Sequence, residues 1–167
     1  MMKIFIQNLE NGIYDFDGSV IADELILPEQ ERYRDTIKVH ALVDRFDNIF
    51  RIRLTIRTRL HLICDRCLEA FTSEFHEEFD RIFQIGSGAL DDDEEVEIIP
   101  EGSKEIDLSK TLYEAIVIAQ PICVVCKEEC KGLCPHCGTN LNHTKCNCIK
   151  TRIDPRLEKL KLLLKEE

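Results

Sequence analysis

The sequence lacks several features that would assign it to a common functional class. No apolar run approaches the roughly 20 residues that a membrane helix requires. The opening residues MMKIF are not followed by an extended apolar stretch or a small-residue cleavage site, so no signal peptide is expected. A glycine-rich phosphate loop and a serine nucleophile motif are also missing. These absences predict a cytoplasmic protein that does not act at a membrane, and they offer little support for catalysis.

Positive charge is also in short supply. The chain carries 22 Lys and Arg against 32 Asp and Glu, for a formal net charge of −10. A protein with this balance is repelled by naked nucleic acid and by anionic membranes, and its partners are expected to be basic. A chain of 167 residues has room for one ordinary domain, alone or with a small metal-held module. Hydrophobic residues make up 44% of it, which is enough for a core.

Cysteine, by contrast, is abundant. Eight of the nine cysteines form four close pairs, namely Cys64/Cys67, Cys126/Cys130, Cys134/Cys137 and Cys146/Cys148. A close pair can aim two thiolates at one metal ion, so four pairs supply the ligands of two tetrahedral sites. In a reducing compartment clustered cysteines bind metal more often than they form disulfides. The ninth cysteine, Cys123, is expected to be a small buried hydrophobic residue.

Two segments with period-two alternation predict an antiparallel hairpin. Residues 50–62 place apolar side chains at even positions, and residues 71–85 place phenylalanines at odd positions. The first cysteine pair lies between the two segments and therefore at the hairpin tip. The apolar pattern is satisfied when paired residue numbers sum to 131, and also after a shift of two residues. A shift of one would turn charged side chains toward the core.

The outer face of the first strand carries a basic row made of Arg51, Arg53, Arg57, Arg59 and His61. Such a row is compatible with nucleic-acid binding. In the register that sums to 131, however, Arg57 lies opposite Glu74, Arg53 opposite Glu78 and Arg51 opposite Asp80. We therefore expect the acidic residues of the second strand to neutralise the row.

These patterns divide the chain into three parts. Residues 1–85 are predicted to form an antiparallel β domain that ends in the hairpin, and residues 86–106 an acidic linker. Residues 107–167 are predicted to hold a helix capped by Asp107, a metal-binding module, and a terminal helix that begins at Asp154. The expected fold class is α+β: an N-terminal antiparallel sheet or small open barrel, one or two helices, and a C-terminal zinc-knuckle module.

The spacing of the cysteines favours zinc. Residues 134–138 have the sequence CPHCG of a zinc knuckle, and the pair at 146 and 148 is close enough to complete a four-thiolate site. Two structural zinc ions are expected, one on Cys64, Cys67, Cys126 and Cys130, the other on Cys134, Cys137, Cys146 and Cys148. Spacing alone does not decide which pairs share an ion. With eight paired thiols available, neither His136 nor His143 is expected to bind metal.

A thiol redox or zinc-buffering protein is the alternative, because Cys-x-x-Cys is also the spacing of a redox couple. The pair Cys64/Cys67 follows a strand, however, whereas the pair of a thioredoxin-like fold begins a helix. Closed four-thiolate sites are structural, which argues against catalysis at the cysteines.

Four short blocks of sequence carry a resemblance to a known family. They are CDRCLE at 64–69, IDL at 106–108, CKGLCPHCGTNLN at 130–142 and IDPRL at 153–157. Together they resemble the YceD family, the large ribosomal RNA subunit accumulation proteins. The resemblance implies a non-catalytic role in the accumulation of 23S rRNA and in assembly of the large ribosomal subunit. The expected partner is a basic large-subunit ribosomal protein or a ribosome assembly intermediate, with rRNA as a further possibility. The resemblance also favours two separate metal sites.

Overall fold

The computed structural model describes residues 2–86 and 96–148. The predicted terminal helix lies outside the described residues, as does most of the acidic run in the predicted linker. The elements in chain order are β1 Lys3–Phe5, β2 Gly12–Val20, α1 Ala22–Leu25, a 3-10 turn Gln30–Arg32, β3 Ile37–Phe46, β4 Ile49–Ile63, β5 Ala70–Ile85, β6 Val96–Ile99, β7 Glu105–Asp107 and α2 Ser109–Ile118.

Five of the strands form one open sheet in the order β2-β3-β4-β5-β6. The first four are antiparallel neighbours, whereas β6 runs parallel to β5. A separate two-stranded sheet joins β1 to β7. The predicted α+β class is thus confirmed. Of the two predicted arrangements, a sheet or a small open barrel, the strands form the sheet, since the order of the five strands is linear.

One face of the large sheet forms the core. The even positions of β4 are buried, and Phe50, Ile52, Leu54 and Ile56 have 0% exposure. Leu112 and Ile116 of α2 are buried in the same hydrophobic cluster. Each fully buried side chain of this size contributes about 1.5–3 kcal/mol. The odd positions of β4 carry the basic row, so the alternation predicted from the sequence is confirmed.

The hairpin of β4 and β5 has a register that differs by two residues from the favoured prediction. Paired residue numbers sum to 133, so Leu60 lies opposite Ser73. The reason lies in the tip, where the Cys64 amide donates to the Glu69 carbonyl at 2.9 Å and closes a turn that contains Leu68 at φ 59°. The shift preserves parity, so the same side chains face the core.

The segment predicted as a linker contains regular structure in its described part. β6 pairs with the end of β5, and β7 pairs with β1 through Ile106 and Ile4, which are 2% and 1% exposed. Neither strand is evident in the sequence, because each supplies only a few apolar residues and β6 also follows an acidic run.

The helix α2 agrees with its prediction. The Asp107 carboxylate accepts a hydrogen bond from the Ser109 amide at 2.9 Å, which satisfies one of the free amides of the first turn. Within the described ranges, no helix has the length and apolar character needed to cross a bilayer. The helix instead leads the chain from the core toward the hairpin tip.

Candidate metal centres

The hairpin tip holds the first two thiols. Cys64 directly follows β4 and is fully buried, and Cys67 is 3% exposed. The Leu68 amide donates to the Cys64 carbonyl at 2.8 Å, so the chain folds back over one turn and both sulfurs lie on the same side of it. A rigid turn of this kind is what two ligands of one metal ion require.

The segment after α2 brings the next two thiols to the tip. The Asp65 amide donates to the Val124 carbonyl at 2.8 Å, and the Asp65 carboxylate accepts from the Val124 amide at 2.6 Å. These two bonds place Cys126 and Cys130 against the tip. The sulfur of Cys130 lies 3.8 Å from that of Cys64, and the sulfur of Cys126 lies 3.7 Å from that of Cys67. We call these four residues site 1.

The geometry of site 1 fits a tetrahedral metal ion. All four sulfurs lie within 4.8 Å of one another. A zinc ion with Zn–S bonds of about 2.3 Å would set its four sulfurs about 3.8 Å apart. The observed separations of 3.8 and 3.7 Å match that edge length. Site 1 could therefore hold a metal ion without rearrangement of the chain.

Thiols of site 1 have unequal acidities. Burial raises the pKa of Cys64, but backbone amides of Cys126, Cys67 and Arg66 donate to its sulfur and bring the pKa down to about 6. The Glu69 amide lowers the pKa of Cys67, yet burial and the neighbouring thiols raise it to about 12. Without a bound cation, the four crowded thiols therefore cannot all be ionised at once. A bound dication would favour the thiolate form of each, and protons would be released on binding.

A second group of four thiols is assembled locally, and we call it site 2. It consists of Cys134, Cys137, Cys146 and Cys148, whose sulfurs also lie within 4.8 Å of one another. The first pair is held in a turn in which the Gly138 amide donates to the Cys134 carbonyl at 2.9 Å. The sulfur of Cys146 lies 3.4 Å from that of Cys134.

Acidities in site 2 follow the same pattern. The hydroxyl of Thr139, 3.2 Å from the Cys137 sulfur, and the Thr139 amide lower the pKa of Cys137 to about 6. The pKa of Cys148 is raised to about 12, and the largest cause is the neighbouring thiol, that of Cys137. Site 2 is less enclosed than site 1, since Cys137 is exposed and only Cys134 is buried.

The structure thus brings the eight paired cysteines together in the two groups that the sequence predicts. Metal binding by these residues stays a prediction. The expectation for Cys123 is wrong, because its side chain is exposed. Its neighbour Val124 is the residue that packs into the core, at 6% exposure, and that bonds to Asp65.

Neither of the two histidines near the cysteines belongs to site 1 or site 2. His136 is exposed on the knuckle. His143 lies with its Nε2 atom 2.7 Å from a carboxylate oxygen of Glu69, at the hairpin tip. This contact joins the segment of site 2 to the element that carries site 1.

The basic row on β4 is neutralised in part by acidic residues of β5. The arginines pair with different carboxylates from those that the favoured register predicts. Arg53 pairs with Asp80 at 2.9 Å, and Arg59 pairs with Glu74 at 3.1 Å. The two-residue shift in register accounts for the change. Within residues 2–86 and 96–148, Arg57 has no ion-pair partner.

Sequence reasoning missed three polar residues that support the sites. Asp65 bonds to Val124, Glu69 bonds to His143, and the Asn142 amide lies 3.4 Å from the Cys130 sulfur. Asn142 is the largest cause of a lowered pKa at Cys130. All three lie in the blocks CDRCLE and CKGLCPHCGTNLN, which were the available signal. Nothing in the spacing indicates which atom each would contact.

Comparison with known proteins gives a family match. The family model described as "Large ribosomal RNA subunit accumulation protein YceD" matches residues 52–164, a range that contains all four cysteine pairs. No solved structure matches the chain.

Several curated relatives are similar. One is the chloroplastic protein of Arabidopsis thaliana named "Large ribosomal RNA subunit accumulation protein YCED homolog 1". It is 33% identical over 152 residues, which cover 73% of this chain and 47% of the relative. The Zea mays protein of the same name is 39% identical over 66 residues, 36% of this chain and 22% of the relative. An uncharacterised protein of Mycobacterium tuberculosis is 31% identical over 105 residues, 62% of this chain and 50% of the relative. The chain spans half or less of the length of these relatives.

Proposed function

We propose a function from the premise that the chain belongs to the YceD family of large ribosomal RNA subunit accumulation proteins. The chain would be a non-catalytic ribosome biogenesis factor. It would support the accumulation of 23S rRNA and the assembly of the large ribosomal subunit, in the cytoplasm. The observation that carries the proposal is the family match over residues 52–164, which includes the hairpin and both cysteine groups.

Zinc is the metal that the donor sets support best. All eight donors are thiols, and closed sites of four cysteines are typical of structural zinc. Zn²⁺ would be held in site 1 by Cys64, Cys67, Cys126 and Cys130, and in site 2 by Cys134, Cys137, Cys146 and Cys148. The ions would stabilise the fold of the segment after α2 and fix it to the sheet. With no position left for water or substrate, neither ion would take part in a reaction.

A basic ribosomal protein is the partner that the charge favours. The chain has a net charge of −10, with 32 acidic against 22 basic side chains. Two of the arginines that could contact rRNA are instead paired within the sheet, Arg53 with Asp80 and Arg59 with Glu74. Direct binding of rRNA through the remaining basic residues is the competing mechanism.

Binding measured over a series of salt concentrations separates the two mechanisms. Purified protein that binds 23S rRNA tightly, with an affinity that falls steeply as salt rises, would favour rRNA, because each phosphate contact releases counterions. Weak rRNA binding together with salt-dependent capture of a basic large-subunit protein would favour the protein partner.

The proposed role itself is tested in cells from which the gene is deleted. We expect reduced 23S rRNA relative to 16S rRNA, restored by the wild-type chain and by a Cys123→Ser variant, whose cysteine lies outside both sites. A chain with Cys64→Ser and Cys67→Ser should not restore it. Normal rRNA levels in the deletion strain would contradict the proposal.

A thiol redox or zinc-buffering protein remains the second candidate. It is favoured by one observation, that Cys137 is exposed and has a pKa of about 6, the properties of a reactive thiol. Thiol labelling of the zinc-loaded protein distinguishes the candidates. Structural sites should leave Cys123 as the thiol that reacts fastest, whereas rapid modification of Cys137 would favour redox chemistry or buffering.

A further inference from the structure

The loop that closes site 2 also reaches site 1. Asn142 lies between Cys137 and Cys146 in the chain, yet its side-chain nitrogen lies 3.4 Å from the sulfur of Cys130 in site 1. Its side-chain oxygen accepts a hydrogen bond from the Lys131 amide at 2.9 Å. With the oxygen fixed by that bond, the NH₂ group donates to the Asn140 side-chain oxygen at 2.9 Å and also points a donor at the Cys130 sulfur.

A second contact from the same loop reaches the other side of site 1. His143 follows Asn142 and lies 2.7 Å from one carboxylate oxygen of Glu69. The other oxygen of Glu69 lies 3.8 Å from the sulfur of Cys67. Of two consecutive residues of the site 2 segment, Asn142 therefore contacts a thiol of site 1 directly, and His143 contacts the carboxylate that lies beside another.

The backbone between the two sites is docked on the hairpin tip. The Leu133 amide donates to the Arg66 carbonyl at 2.9 Å, directly between Cys64 and Cys67. Gly132 has φ 69°, and a Cβ atom built there would lie 2.8 Å from the Arg66 carbonyl oxygen. The Leu141 amide donates to the Gly132 carbonyl at 2.9 Å, so the turn that carries Asn142 is tied to the same docked segment.

We propose that the two sites bind metal with positive coupling, and that Asn142 is a positioning residue for the ion in site 1. Four thiolates around one dication leave excess negative charge on sulfur, which N–H donors disperse. Site 1 forms the platform on which the site 2 loop docks, and the docked loop supplies a donor to site 1. Because coupling is reciprocal, each ion should raise the affinity for the other by the same factor.

This inference rests on the proposed function only in requiring that both cysteine groups hold metal. It is tested on the full chain by titrating the metal-free protein with Zn²⁺ against a chromophoric chelator, with Co²⁺ absorption as a second reading of thiolate ligation. The wild type should bind two ions per chain. In Asn142→Asp the oxygen that accepts from Lys131 is kept, and the donations to the Cys130 sulfur and to Asn140 are lost, so site 1 affinity should fall about tenfold to 100-fold.

Asn8→Asp is the matched control, because Asn8 is an exposed asparagine outside both cysteine groups and the variant makes the same change of charge. Its affinity at site 1 should equal that of the wild type. Equal losses in the two variants would overturn the role of Asn142. Circular dichroism of each metal-loaded variant reports whether the sheet has folded, so that a loss of affinity is assigned only to folded protein.

Coupling is measured with one site disabled at a time. Cys146→Ser with Cys148→Ser leaves site 1, and Cys64→Ser with Cys67→Ser leaves site 2. We expect each remaining site to bind more weakly than in the wild type, by the same factor. Affinities that do not depend on the other site would overturn the coupling while leaving two metal centres in place. Failure of the wild type to bind two ions would instead contradict the metal centres on which the inference rests.

Discussion

Site 1 and site 2 have the same four-thiol composition but join different parts of the molecule. In site 1 the sulfurs of Cys67 and Cys126 meet across a sequence separation of 59 residues, and the chain between them contains β5, β6, β7 and α2. In site 2 the sulfurs of Cys134 and Cys146 meet across 12 residues. Closing the longer loop restricts the unfolded chain more, by about 1.4 kcal/mol on the logarithmic dependence of loop entropy on length.

Burial follows the same division. Three of the four thiols of site 1 are buried, whereas in site 2 one is buried and Cys137 is exposed. Site 1 therefore belongs to the folded sheet and fixes the segment after α2 to it. Site 2 organises a short segment that depends on contacts with site 1 for its position. With metal bound, four thiols would thus form a long-range crosslink at site 1 and would stabilise a local turn at site 2.

Removal of each site in turn should have the largest effect and should separate these two roles. Cys64→Ser with Cys67→Ser should lower the metal content by at least one ion and the Tm by roughly 10 °C or more, because a buried crosslink is lost. Cys134→Ser with Cys137→Ser should lower the Tm much less and leave the β4–β5 amides protected from hydrogen exchange. Metal analysis, calorimetry and exchange measure the three quantities. A larger loss of Tm in the second variant would reverse the comparison.

The docking of the two sites is tested at a pair of glycines with the same backbone conformation. Gly132 and Gly138 have φ of 69° and 72°, but a Cβ at Gly132 meets the Arg66 carbonyl oxygen at 2.8 Å, whereas one at Gly138 meets nothing within 4 Å. Gly138→Ala should cost about 1 kcal/mol, the cost of the left-handed conformation. Gly132→Ala should cost about 2–4 kcal/mol, since the segment must also move away from the hairpin. Denaturant unfolding of both variants measures the difference, and equal costs would show that the docking contributes little.

The link between the hairpin tip and the segment after α2 is tested at Asp65. Asp65→Ala removes the carboxylate that accepts from the Val124 amide at 2.6 Å and should destabilise the protein by about 1–3 kcal/mol. Hydrogen exchange should become faster at the Val124 and Asp65 amides and stay unchanged in β3. Uniformly faster exchange across the sheet would mean that Asp65 supports the whole fold and not this link.

The smallest effect is expected outside both sites. Arg53→Ala breaks the ion pair with Asp80 on the open face of the sheet, where both side chains are more than half exposed. Solvent screens such a pair, so the Tm should change by less than about 2 °C. Metal content should remain that of the wild type. A change comparable to that of Asp65→Ala would show that the open face contributes to stability in a way that the contacts do not explain.

Prediction from the sequence succeeded where a pattern repeats along the chain. Alternation placed β4 and β5 and assigned their faces, since a strand with one buried face must alternate. The spacing of the cysteines predicted two groups of four. The register of the hairpin was missed by two residues, because both registers keep parity and the choice depends on the turn that Cys64 and Glu69 close.

Where a residue depends on a distant contact, the sequence was not sufficient. Cys123 was expected to be buried, but Asp65 bonds to its neighbour and leaves its side chain in solvent. The strands β6 and β7 are too short to stand out beside an acidic run. β7 was decided by pairing with β1 at the start of the chain, and β6 by parallel pairing with the end of β5.

The sequence by itself determined the local chemistry of this protein: which side chains face the core of the hairpin, which thiols are paired, and the excess of negative charge. These properties follow from residue type and spacing over a few positions. Only the tertiary structure decided that Asn142 donates to Cys130 and that Leu133 bonds to Arg66. The physical reason is that directional hydrogen bonds between segments depend on ångström-scale placement, which hydrophobic periodicity and cysteine spacing do not encode.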